Sequence, residues 1–166
     1  MQSIPKLIFV TILCVALWMR AKADNKITVN SFDVDIPGND IVGAWDHDLA
    51  NNLISSTISI KRDCPGVFEL DIKVYEGEAQ VQQMNQKLKK PIKDIENYNL
   101  CASIDGPDPE DDQCSILEGE QSVKDCDVRD WFKDMSAGDY KVVATFSQDD
   151  QNVATITMNV LVENDG

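Results

Sequence analysis

Val67-Phe68-Glu69-Leu70-Asp71-Ile72-Lys73-Val74-Tyr75 is the stretch that decides the fold class. Phe68, Leu70, Ile72 and Val74 fall on one face, and Glu69, Asp71, Lys73 and Tyr75 on the other. A strand with one dry and one wet face requires this period of two, because successive side chains leave a pleated sheet on opposite sides. The pattern returns near the C-terminus. Gly138-Asp139 opens a run in which Tyr140, Val142, Ala144 and Phe146 share a face, and Ala154, Ile156, Met158, Val160 and Val162 share a face of the next run. Between them, Ser147-Gln148-Asp149-Asp150-Gln151-Asn152 is turn chemistry, so the two runs predict an antiparallel hairpin.

Shorter runs precede these. Ile27-Val29, Phe32-Val34-Ile36, Ile41–Trp45 and Leu53-Ile54 through Ile58-Ile60 are separated by Pro37-Gly38-Asn39-Asp40 and Asn51-Asn52. Residues 79–95 place Ala79, Val81, Met84, Leu88 and Ile92 near helical spacing. Pro91 and the lack of a capping box favour a strand followed by an irregular segment. Gly106-Pro107-Asp108-Pro109-Glu110-Asp111-Asp112 reads as an exposed loop. Seven or eight short strands with frequent turns predict an all-β, antiparallel two-sheet sandwich, with no internal repeat or linker dividing it.

The N-terminus carries an export signature. Lys6 precedes the apolar run Leu7–Met19, and Ala21-Lys22-Ala23 supplies the small residues a signal peptidase needs. The thirteen residues of this run make about 20 Å of helix, short of the roughly 30 Å of bilayer hydrocarbon. Residues 1–23 therefore read as a secretory signal, and residues 24–166 as one domain, secreted or in the lumen of the secretory-endosomal system. The whole chain carries a net charge of −14; the mature part keeps 12 basic and 29 acidic side chains, hence −17. That balance argues against nucleic acid, which demands clustered Lys and Arg, and against resident docking on an anionic membrane. The 43% of apolar residues argues against disorder.

Export bears on the cysteines. Cys14 leaves with the signal, and Cys64, Cys101, Cys114 and Cys126 remain. An even number in an oxidising compartment reads as two disulfides, with three connectivities open. None of the spacings is C-x₂-C, so a metal site is not indicated. Catalysis finds little support. The one histidine, His47 in Trp45-Asp46-His47-Asp48, reads as part of a polar surface turn, and no G-x-S-x-G elbow is present. The acids of Asp105–Asp112 do not follow the EF-hand spacing, and Pro107 and Pro109 restrict wrapping, so a solvated loop is the reading there. No cofactor is implied.

Trp45, Phe68, Trp131, Phe132, Tyr140, Phe146 and Met158 are large or flexible apolar groups that suit either a packed core or an apolar pocket between splayed sheets. Read as neighbours on a strand, Trp131 and Phe132 point opposite ways, which leaves one of them outside or at a rim.

The second half, Cys101 to about Val162, resembles the ML lipid-recognition superfamily, which includes the ganglioside activator and lysosomal sterol-carrier proteins. The residues that carry the likeness are Asn99-Leu100-Cys101, an acidic and prolyl insertion, and Cys114-Ser115-Ile116-Leu117-Glu118-Gly119. After a variable stretch follows Met135-Ser136-Ala137-Gly138-Asp139-Tyr140-Lys141-Val142-Val143-Ala144-Thr145-Phe146, whose Gly-Asp-Tyr opening is similar to activator-like and arthropod members. The first half matches only through Ile58-Ile60 leading into the Val67–Tyr75 strand. Two departures stand out. The last strand has Ala154-Thr155-Ile156 where members commonly carry a cysteine, and no mature cysteine precedes Cys64.

The resemblance implies an immunoglobulin-like sandwich, non-enzymatic, with a lipid cavity between its sheets. By analogy it pairs Cys101 with Cys114 and leaves Cys64 with Cys126. Phe68, Leu70, Ile72 and Val74 are expected on the cavity wall, facing Tyr140, Val142 and Phe146 and then Ile156, Met158 and Val160. Trp131 or Phe132 is expected at the rim. The expected partner is a small apolar ligand (sterol, fatty acyl or glycolipid), with transient contact to a membrane or receptor and a monomeric state. The competing expectation is a secreted acidic interaction module with a filled core, recognising a basic protein. A hydrolase built on His47 ranks third.

Overall fold

The computed structural model describes residues 25–89, 104–106 and 114–164. It is all-β, and among those residues the only helical element is a 3₁₀ turn at Arg129–Trp131. Five strands make one antiparallel sheet: β1 (Asn25–Asp35), β5 (Phe68–Glu76), β6 (Ala79–Leu88), β10 (Gly138–Gln148) and β11 (Gln151–Asn164), in the spatial order β1-β11-β10-β5-β6. A second sheet holds β2 (Val42–Ala50), β3 (Leu53–Ile60), β7 (Ile104–Asp105) and β9 (Gly119–Asp127), in the order β2-β3-β9-β7. A small ladder joins β4 (Cys64–Pro65) to β8 (Cys114–Ile116). The segments outnumber the seven or eight expected, and β1, β10 and β11, at 11, 11 and 14 residues, are not short.

Local chemistry explains the hairpins. Asp149 and Asp150 both take positive φ, 50° and 62°, so β10 and β11 meet through a two-residue turn of the primed kind, whose twist matches that of the strands. The six-residue turn expected over Ser147–Asn152 is thus mostly strand. Asn51 and Asn52, at 54° and 65°, make the same turn between β2 and β3. The stretch from Ala79 is a strand, as expected, up to Leu88; its continuation from residue 90 lies outside the described residues.

The apolar phase of β1 changes along its length: Ile27 and Val29 are odd, Phe32 and Val34 even. A continuous pleat would send one set outward. The register against β11 accordingly slips between Val29 and Ser31, and Asn30 is the additional residue that returns Phe32 to the inner face. The connection from β1 to β2 is held by Asn39. Its Oδ1 accepts from the amides of Ile41 (2.9 Å) and Val42 (2.7 Å), while its Nδ2 donates to the carbonyls of Pro37 and Val153. The last of these ties the loop to β11 of the opposite sheet.

The two sheets face one another. One buried cluster joins Ile27, Val29, Val74, Tyr140, Val142, Met158, Val160 and Val162 of the first sheet to Ile54 and Cys126 of the second. Another, toward the β4–β8 ladder, contains Val42, Ile60, Cys64, Phe68, Leu70 and Ala144.

Two expectations are corrected here. Cys126 stands opposite Ile54 at one end of β3, whereas Cys64 follows Ile60 at the other end. Six strand residues, about 20 Å, separate those ends, far beyond the Cα spacing of about 4.4–6.8 Å that a disulfide spans, so Cys64 is not bridged to Cys126. His47 lies within strand β2 rather than in a turn, exposed, with its ring edge-on to Phe32 at 5.2 Å. The signal segment, Cys101, the side chain of Cys114 and residues 107–113 lie outside what is described, and with them the Cys101–Cys114 pairing.

Candidate functional site

The inner face of β3 presents Ile54, Ser56, Ile58 and Ile60 toward β5 and β10, which present Leu70, Ile72, Val142, Ala144 and Phe146. These faces do not close on each other. Between them is a cavity of about 220 Å³, also lined by Phe32, Ile41, Val42, Trp45, Phe68, Ile116, Val123, Ile156 and Met158. Well-packed interiors contain few voids larger than a water molecule. The gap shows in side-chain exposure too. Ile58, Ile72, Val123, Phe146 and Ile156 line this interior and yet are only half-buried, whereas Val160 and Val162, beyond the cavity on the same face as Ile156, are each 1% exposed.

The wall is almost wholly carbon and sulfur. Among the described residues no Asp, Glu, Lys, Arg or His lines it, and its two polar side chains, Ser56 and Gln121, are themselves buried. The indole N–H of Trp45 is buried within the wall and finds no hydrogen-bond partner among the described residues. Such a surface offers neither a nucleophile with a base nor an oxyanion site. It offers room for hydrocarbon. No group of three His, Cys, Asp or Glu among the described residues is placed to hold a metal ion.

Trp131 stands at one end of the cavity, both lining it and 38% exposed. It sits there because the chain turns in a 3₁₀ arc after β9: Trp131 N donates to Val128 O at 3.1 Å and Phe132 N to Arg129 O at 3.0 Å. Asp127 anchors the arc. Its Oδ1 accepts from Arg129 N (3.0 Å) and Nε (2.8 Å), and its Oδ2 from Nη2 (2.6 Å). The guanidinium of Arg129 holds the Asp127 carboxyl below its ordinary value of 3.8, and Asp127 in turn raises Arg129.

Of the expected wall residues, Phe68, Leu70, Ile72, Val142, Phe146, Ile156 and Met158 line the cavity. Val74, Tyr140 and Val160 share their inner faces but belong to the closed part of the core. There the Tyr140 hydroxyl donates to Ser136 O at 3.0 Å, and burial followed by the nearby Glu76 charge pushes its pKa above 10.0. Trp131 takes the rim position, and Phe132, 3% exposed, is core. The reason differs from strand alternation: neighbours in a 3₁₀ turn diverge by about 120°. The lining missed from sequence belongs mostly to the second sheet, above all Ile54, Ile58, Ile60 and Val123. The alternation Ile54-Ser55-Ser56-Thr57-Ile58-Ser59-Ile60 is the signal that pointed to it.

No protein-family model matches this sequence, and no curated protein is detectably similar to it.

Proposed function

We propose that this chain is a secreted, non-enzymatic lipid-binding protein of the ML type, which holds the hydrocarbon of a small apolar ligand between its two sheets. The observation that carries the reading is the unfilled, uncharged interior, reached by half-buried side chains from both sheets and bordered by an exposed tryptophan. On this reading the sandwich is immunoglobulin-like and stapled by two disulfides. The acidic exterior keeps the monomer in solution and confines membrane or receptor contact to brief encounters near Trp131. The open interior supports this reading over an interaction module with a filled core.

The test is expression in a secretory host, extraction of the purified protein with organic solvent, and mass spectrometry of the extract. A stoichiometric apolar compound is expected. The reading fails if the extract is empty and the purified, delipidated protein takes up no apolar probe.

A further inference from the structure

The slot has a size and a shape that discriminate among apolar ligands. Ile54, Ser56, Ile58 and Ile60 all line it, so it follows the inner face of β3. Its volume is modest. An apolar cavity of about 150 Å³ takes up benzene, so by proportion about 220 Å³ holds on the order of nine carbons. Room for about nine carbons is well short of a sterol's fused ring system and of two chains side by side. The wall also presents almost no oxygen or nitrogen to the space, so a polar atom placed inside would lose its hydrogen bonds to water without replacement.

We infer that the ligand buries one unbranched hydrocarbon chain, about nine carbons long and free of polar atoms along that length, and that sterols and two-chain lipids are excluded. This inference rests on the cavity being the lipid site proposed above.

The experiment uses the delipidated full mature protein and a series of primary alcohols from hexanol to tetradecanol, read by tryptophan fluorescence and calorimetry. Uncharged probes avoid repulsion by the acidic surface. Affinity is expected to rise about fourfold per added carbon, the worth of one buried methylene, and to level off near nine or ten carbons. Decane-1,5-diol is expected to bind about tenfold or more weakly than decanol, because its second hydroxyl lies inside the slot. Cholesterol and a short two-chain phosphatidylcholine are expected not to compete. If either competes more strongly than decanol, if the gain continues undiminished to tetradecanol, or if the diol binds as well as decanol, the single-chain inference is overturned while lipid binding stands. If no probe of any class binds, the lipid-binding reading itself fails.

Discussion

Enlarging Ala144 gives opposite results for an open interior and for a closed one. Ala144 lies on β10 between Ile72 of β5 and Ile156 of β11, is 9% exposed, and lines the cavity. Ala144→Leu adds three carbons. In a well-packed core such overpacking costs about 1–3 kcal/mol. Here the added carbons enter unfilled space and leave water, which contributes about 2.4 kcal/mol at 0.8 per methylene. Fixing a leucine rotamer takes back about 0.5–1 kcal/mol, so the variant should gain about 1.5 kcal/mol. Urea denaturation of the delipidated protein measures this directly, and a rise of about 5 °C in Tm should accompany it. The same three carbons occupy ligand space, so decanol should bind about 60-fold more weakly, a factor of four for each methylene displaced. A variant that is destabilised by 1 kcal/mol or more and binds decanol as tightly as the parent would refute both the open cavity and its role.

Other outcomes follow from single contacts. Asn39→Ala removes the acceptor for the amides of Ile41 and Val42, residues 3% and 5% exposed, and should cost about 2–4 kcal/mol in denaturant unfolding; a loss under 1 would show that water replaces the clasp. Trp131→Ala opens one end of the cavity, so stopped-flow release of decanol should quicken several-fold with little change in stability; an unchanged rate would mean that the ligand leaves elsewhere. The lowered pKa of Asp127 means that its contribution to the arc is complete above the ordinary aspartate value and is lost as pH falls through the lowered one. Trp131 emission, followed in Trp45→Phe protein, should therefore change with a midpoint below 3.8, and Asp127→Asn should abolish that step. Peptide mapping without reduction should yield no fragment joining Cys64 to Cys126.

Strand alternation made the first sheet legible because each of β5, β10 and β11 carries one uninterrupted apolar face. It was less informative for β3, where serine and threonine occupy the outer positions and Ser56 interrupts the inner row. It was least informative for the 3₁₀ arc, where a bulky pair looked like strand. The cavity itself was only partly legible for a physical reason. A period of two says which side chains point inward; it does not say how far away the facing sheet is. Val74, Tyr140 and Val160 satisfy the pattern as well as Ile72, Phe146 and Ile156 do, yet the sheets meet over the first three and part over the others. Cysteine pairing was illegible for a related reason, since it depends on register across β3, which fixes Cys126 and Cys64 at opposite ends.

The unfilled interior has an energetic consequence that links fold to function. At about 24 cal/mol per Å³, an empty space of about 220 Å³ costs about 5 kcal/mol, comparable to the whole stability of a domain at the low end of the usual 5–15 kcal/mol. Residues that could have filled it are one substitution away, as Ala144 illustrates, so the gap is not forced by the topology. Much of the lost cohesion returns when hydrocarbon fills the slot, and it returns only to the folded state. Binding and folding are then linked: at a hundred times Kd, a ligand adds about 2.7 kcal/mol to stability. On the proposed lipid-binding reading, the half-buried side chains of β3, β5 and β10 are where the protein sets aside packing that a ligand would complete, while the closed cluster around Val160 and Val162 keeps the sheets together when the slot is empty.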